Sequence, residues 1–178
     1  MTTNLSHEIP ALFIPDDSTP FNPISEVNIP YPPSSQESNA IISQLLKCPG
    51  RVAEPLYSED LLAVYNGSPS GVPPKQKFYV YDAYMDDTGN STRPYNTRAA
   101  ELLQLPRSYG PILIVKGVCV KDSEIGAVRV IDQEPLSEAE IESRAFRDKR
   151  KLFIEKQDAY KKRLFDKYRN DGFTVISS

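Results

Sequence analysis

Histidine, cysteine and tryptophan are scarce in this sequence, and the scarcity argues against several chemistries. The 178 residues include one histidine, two cysteines and no tryptophan. The histidine, His7, lies in a proline-rich N-terminal region, so a serine or cysteine nucleophile has no positioned histidine base. Two cysteines and one distant histidine are a poor basis for a closed zinc site. GxGxxG, P-loop and HExxH patterns are also missing. We therefore predict no catalytic residues, no metal ligands and no cofactor.

Long apolar runs are missing as well. The longest, "PILIVKGVCV", is too short and too interrupted to span a bilayer. The N-terminal region lacks the basic start of a secretory signal, and two cysteines fit a reducing compartment. We expect a cytoplasmic or nuclear protein with no membrane partner.

Basic residues are missing from the first part of the chain, which has a composition of its own. Residues 1–36 contain four acidic residues and no lysine or arginine, and residues 1–34 hold seven of the sixteen prolines. Proline favours extended backbone, yet residues such as Leu12, Ile14 and Ile29 are too apolar for a solvated tail. Residues 1–34 are therefore predicted to form a proline-rich extended arm across the domain surface; a short binding motif for another protein is the alternative.

The remaining residues, 35–178, are predicted to form a single α+β domain. A helix is expected after Ser34 or Ser35, with Ile41, Ile42, Leu45 and Leu46 on its buried side. Strands are expected over 61–67, 78–84, 112–115 and 126–132, because β-branched and aromatic residues cluster there. Short connections between these strands favour a small, mostly antiparallel sheet packed against helices, which we expect on one face.

A long amphipathic helix is predicted at the C-terminal end, over about 137–171. Ser137 and Glu140 form a capping box at its start, and Gly172 is suited to its end. At 100° per residue its large apolar side chains fall on one stripe, which we expect to be buried. These residues are Phe146, Phe153, Tyr160, Leu164 and Tyr168.

The opposite side of this helix is basic. Residues 144–169 contain eleven basic and four acidic residues. The preferred interpretation is a solvated face above a buried stripe; a nucleic-acid contact surface and a partner helix docked on the stripe are the alternatives. The candidate polyanion contacts are Arg144, Arg147, Lys151, Lys162 and Arg169.

Two further stretches contain candidate site residues. Asp82, Asp86 and Asp87 lie close together in "YDAYMDDTGN", which is typical of a turn and leaves cation binding open. A second group flanks the turn between a short helix that begins near Asn96 and the strand at 112–115. The candidate binding residues there are Tyr95, Asn96, Arg98, Arg107 and Tyr109.

The run "DDTGNSTRPYNTRAAELLQLPRSYGPILIVKG" resembles small uncharacterised proteins of mushroom-forming fungi. The resemblance implies no reaction and supplies no catalytic residues. From the residues themselves we predict a non-enzymatic intracellular binding or protein-interaction module, with protein as the first choice of partner. A nucleic-acid-associated protein that uses the basic helix face is the second hypothesis. A small histidine-independent enzyme with an aspartate or tyrosine site is the third.

Overall fold

The structure is a computed structural model, and it describes residues 8–19, 21–30, 36–59, 62, 77–87, 92–105, 108–121 and 128–170. The strand expected over 61–67 lies outside these residues, apart from Leu62, which is buried. Six strands form one sheet: β1 (Glu8–Ile14), β2 (Ser25–Pro30), β3 (Arg51–Ser58), β4 (Lys77–Asp86), β5 (Ile112–Lys121) and β6 (Val128–Glu134). Among the described residues, the helices are α1 (Gln36–Leu45), α2 (Thr97–Leu103), α3 (Glu138–Glu142) and α4 (Arg144–Asn170).

Strand β5 organises the sheet because it has three neighbours. One of its edges pairs with β4 through residues 113–120, and the other pairs with β1 at residues 112–114 and with β6 at residues 116–121. The order across the sheet is β2-β1-β5-β4-β3, with β6 end to end with β1, and each pairing is antiparallel. The predicted α+β class with an antiparallel sheet is confirmed.

The N-terminal region differs from the expected arm. Its described residues are extended, as predicted, but they form β1 and β2, and β1 lies inside the sheet between β2 and β5. Ile14 and Ile29 are fully buried, whereas Phe21 in the β1–β2 connection is 97% exposed. The buried apolar residues of β1 and β2 therefore belong to the core, and these strands are part of the sheet rather than an arm lying over it.

Helices cover both faces of the sheet, not one. Successive residues of a strand point to opposite faces, and Ile112 and Ile114 pack in a core with residues of α2, α3 and α4. Leu113 and Val115 pack on the other face with Ile42 of α1. The expected buried side of the first helix is confirmed at Ile42 and Leu46, both fully buried.

The predicted C-terminal helix is two helices with a break at Ser143. Ser137 caps α3, as expected, because its side chain accepts a hydrogen bond from the backbone N–H of Glu140. Ser143 has an extended ψ of 142°, and its hydroxyl oxygen accepts a hydrogen bond from the Phe146 N–H at 3.2 Å. Serine is a preferred N-cap residue, so Ser143 starts a new helix. The 27 residues of α4 span about 40 Å.

Candidate functional site

Asn96, a predicted binding residue, is fully buried and joins three segments of backbone. Its side-chain oxygen accepts a hydrogen bond from the Ala99 N–H at 2.9 Å, which caps α2. Its amide nitrogen donates to the carbonyl oxygens of Gly110 at 2.8 Å and Ile14 at 3.3 Å. The side chain thus has a structural role that involves no ligand.

Replacing Asn96 with alanine is expected to lower the free energy of unfolding by about 1–2 kcal/mol, the usual cost of losing a helix cap. Asn96→Asp keeps the capping oxygen but loses the amide donor, so it should fall between the alanine variant and the unmodified protein. Urea denaturation followed by circular dichroism measures both. Unchanged stability of Asn96→Ala would contradict the structural role.

The other predicted members of this group also make internal contacts. Arg98 donates hydrogen bonds to the carbonyl oxygens of Asn22 and Thr19, and Tyr95 and Tyr109 meet edge to face with ring centres 5.5 Å apart. Arg107 lies outside the described residues. A binding role for the group stays a prediction, since these contacts mainly fasten the β1–β2 connection to α2.

The three aspartates do not form one cluster. Asp86 is buried and forms an ion pair with Arg93, which also donates to the carbonyl oxygen of Leu46. Asp87 is exposed. Burial raises the pKa of Asp82. Among the described residues, no group of three or more histidine, cysteine, aspartate or glutamate side chains is placed to hold a metal ion.

The five candidate polyanion contacts share the exposed face of α4, as the spacing predicts. Acidic groups interrupt that face: Arg144 lies 3.5 Å from Asp148, and Arg147 borders a small cleft beside Glu138 and Glu142. The basic charge is therefore partly balanced locally. Contact with a polyanion stays a prediction.

The apolar stripe of α4 is buried over only half of its length. Phe146 is 3% and Phe153 is 1% exposed, but Tyr160 is 45% and Tyr168 is 49% exposed. The expectation that the whole stripe is buried is wrong for these two tyrosines. We call the residues spaced three or four apart along this side the seam: Phe146, Arg150, Phe153, Gln157, Tyr160, Leu164 and Tyr168. We call residues 157–170 the distal segment.

Arg150 has a structural role that the sequence pattern did not indicate. It is 3% exposed and lies between the two buried aromatic residues of the seam. Its Nε donates a hydrogen bond to the Leu103 carbonyl oxygen, and one terminal nitrogen donates to the Leu56 carbonyl oxygen at 2.7 Å. Arg150 thereby fixes the first half of α4 to α2 and β3.

A cavity of about 250 Å³ lies at the bend between α3 and α4; we call it the elbow cavity. Lys116 of β5 stands on its inner side, 3.0 Å from Glu140 and 3.3 Å from Glu134, with its ammonium 4.5 Å from the ring centre of Tyr79. The Tyr81 hydroxyl donates to Glu140 at 2.8 Å. The cavity is lined by Tyr57, Glu59, Tyr79, Tyr81, Lys116, Glu140, Ser143, Ala145, Phe146 and Lys149.

Ionisation in the elbow cavity argues against a general base among its lysine and tyrosine side chains. Burial by itself lowers the pKa of Lys116, but the hydrogen bonds and charges of Glu140 and Glu134 outweigh it, so the net shift is upward. Burial, reinforced by hydrogen bonds, raises the pKa of Tyr81, and burial raises the pKa of Tyr57. At neutral pH the lysine is therefore charged and the tyrosines are neutral, which makes them poor general bases.

The sequence contains one signal for this cavity. Lys116 interrupts the apolar run of β5, and a lysine in a central strand needs partners when it is buried. Its partners Glu134 and Glu140 lie far along the chain from Tyr81, so their convergence depends on the fold. Tyr57 and Lys149 join them only through the packing of α4 on β3.

Comparison of the chain with protein families, with curated proteins and with solved structures finds no match. Within the part of the chain that the structure describes, none of the helices combines the length and apolarity that a membrane crossing requires.

Proposed function

We propose that the protein is a non-enzymatic intracellular interaction module that presents the distal segment of α4 to a protein partner. The observation that supports this most directly is the change in burial along the seam, from Phe153 at 1% exposed to Tyr160 at 45%. A helix that lays its apolar side into a partner's groove needs exposed anchor residues three or four positions apart, which is the spacing of the seam. The resemblance to fungal proteins and a cytoplasmic or nuclear location belong to the same proposal.

The charge of the distal segment indicates the chemistry of the partner. Residues 157–170 contain five basic and two acidic residues and form the last turns of α4. Two copies packed side by side along this segment would bring like charges together, whereas an apolar groove with an acidic rim would complement it. We therefore infer an acidic protein partner rather than a second copy of the chain.

The sheet edges are less suited to docking than the helix. Strand β3 contains Pro55 and a bulge at the next residue, and β6 has a bulge at Ile131. Strand β2 ends at Pro30. Proline and bulges hinder the addition of another strand, so binding through an added strand is disfavoured at all three places.

Substitution in the distal segment tests the proposal. Tyr160→Ala with Tyr168→Ala removes two seam anchors, and Phe165→Ala removes an aromatic ring that is 52% exposed but lies off the seam. We expect the double variant to bind the partner at least about 30-fold more weakly, the effect of a hot-spot side chain worth ~2 kcal/mol. Phe165→Ala is the control, and it should bind the partner with unchanged affinity.

The partner is first found by cross-linking from position 164 in an extract of the source cells, and binding is then measured by calorimetry with the purified partner. Thermal melting of each variant shows that the fold is intact. Equal loss of binding in Phe165→Ala would contradict the seam as the docking surface.

Nucleic acid is the second candidate, favoured by the shared exposed face of the five basic residues. Titrating the protein into labelled duplex DNA and into labelled single-stranded RNA at about 0.15 M salt distinguishes a nucleic-acid partner from a protein partner. We expect no submicromolar binding. Tight binding that weakens steeply with salt and is lost in Arg147→Glu with Lys151→Glu would replace the protein-partner proposal.

A further inference from the structure

The elbow cavity is separate from the distal segment and has its own chemistry. We propose that it binds a small zwitterion with one aromatic ring, of the aromatic amino acid class. The inference depends on three features: an aromatic floor, a fixed inner cluster of charges formed by Lys116 with Glu134 and Glu140, and an exchangeable pair of charges at the rim.

The floor is a cluster of three buried rings. The ring centre of Tyr57 lies 4.6 Å from that of Tyr81 and 5.1 Å from that of Phe146, and Tyr81 and Phe146 meet edge to face at 5.2 Å. Tyr79, which is partly exposed, stands beside them with its ring centre 6.5 Å from that of Tyr81. Another ring in the cavity would extend this cluster with the edge-to-face and offset contacts that aromatic side chains prefer.

The inner charges are already occupied. Lys116 contacts two carboxylates, and the same oxygen of Glu140 accepts from the Tyr81 hydroxyl. Ser143 is satisfied as well, since its hydroxyl donates to the Glu140 carbonyl oxygen at 2.6 Å and accepts from the Phe146 N–H. These groups shape the cavity and leave the recognition of ligand charge to the rim.

The rim is an exposed pair of opposite charges. Lys149 and Glu59 form an ion pair in which their side chains are 45% and 37% exposed, and the Lys149 ammonium is 5.8 Å from the ring centre of Tyr57. Such exposed ion pairs are weak, so a ligand can separate Lys149 from Glu59 and take the place of each as the other's counter-ion. The ligand's carboxylate then pairs with Lys149, and its ammonium pairs with Glu59.

The balance of charge selects the ligand class. Lys149 and Glu59 at the rim carry one charge of each sign, so a ligand with one charge pairs with one of them and leaves the other without a counter-ion. A zwitterion keeps the balance. The volume of about 250 Å³ accommodates one aromatic ring.

Four probes separate the contributions, each titrated into the full chain by calorimetry. L-phenylalanine has the ring and both charges, 3-phenylpropionate lacks the ammonium, phenethylamine lacks the carboxylate and L-alanine lacks the ring. We expect saturable binding of L-phenylalanine and at least about tenfold weaker binding of the other three, the effect of one lost charge-assisted or apolar contact. Equal binding of either singly charged probe overturns the zwitterion class.

Substitutions at the rim test whether L-phenylalanine binds in the elbow cavity. Lys149→Met and Glu59→Gln each remove one rim charge and should weaken L-phenylalanine binding at least about tenfold. Lys77→Met, at an exposed lysine of β4 that does not line the cavity, should bind normally. Thermal melting confirms that each variant is folded. Absence of saturable binding by the unmodified protein up to the solubility limit, or unchanged binding by Lys149→Met, overturns the proposal.

Discussion

Replacing Phe153 with alanine is expected to lower the free energy of unfolding by about 3–5 kcal/mol, the usual cost of truncating a buried aromatic ring. The ring is 1% exposed and belongs to the larger core, where α4 meets residues of α2 and the sheet. Alanine would leave a cavity that the surrounding side chains fill only in part, because interiors are close-packed. Urea denaturation with the linear extrapolation gives the change directly.

Tyr160→Ala is the matched control because Tyr160 occupies the same stripe of the same helix, one heptad further along. Its ring is 45% exposed, so the change is expected to stay within about 0.5 kcal/mol. A large loss of stability in Tyr160→Ala, or a small one in Phe153→Ala, would show that the seam is not buried as the structure places it.

The contrast between these two positions shows what periodicity can and cannot predict. The spacing of the seam follows from 3.6 residues per turn, so its apolar members were identifiable in the sequence. The position along α4 at which the seam stops being buried depends on how far the domain extends beneath the helix. The local sequence pattern does not give that extent. Phe153 and Tyr160 therefore look equivalent in the sequence and differ in the structure.

The strand pairing of the N-terminal region could not be predicted from the sequence either. Its prolines suggested an arm, but Pro10 and Pro30 lie within β1 and at the end of β2. Leu12, Phe13 and Ile14 pair with residues of β5 that are about a hundred positions away in the sequence. Extended conformation was predictable from composition, whereas membership in the sheet was not. The same limit applies to the elbow cavity, whose residues come from β3, β4, β5, α3 and α4.

Arg150→Met is the second change from which a large effect is expected, about 2–6 kcal/mol. The substitution keeps much of the side-chain volume but leaves the carbonyl oxygens of Leu103 and Leu56 without the donors that Arg150 now supplies. Each buried acceptor left without a donor costs about 1–3 kcal/mol. Burial lowers the pKa of Arg150, with a partial offset from Glu54, yet a guanidinium stays charged at neutral pH.

Arg150→Lys separates hydrogen bonding from charge. A lysine ammonium keeps the charge but lacks the planar fork that reaches two acceptors at once, so most of the loss is expected to persist. Arg147→Met, one turn away on the exposed side, should change stability by no more than about 0.5 kcal/mol. Because Arg150 also fixes the first half of α4 to α2 and β3, a destabilised but folded Arg150→Met should bind the partner of the distal segment more weakly, whereas Phe165→Ala should not. Full stability of Arg150→Met would mean that the two carbonyl groups find other donors and that packing of Phe146 and Phe153 alone holds α4 in place.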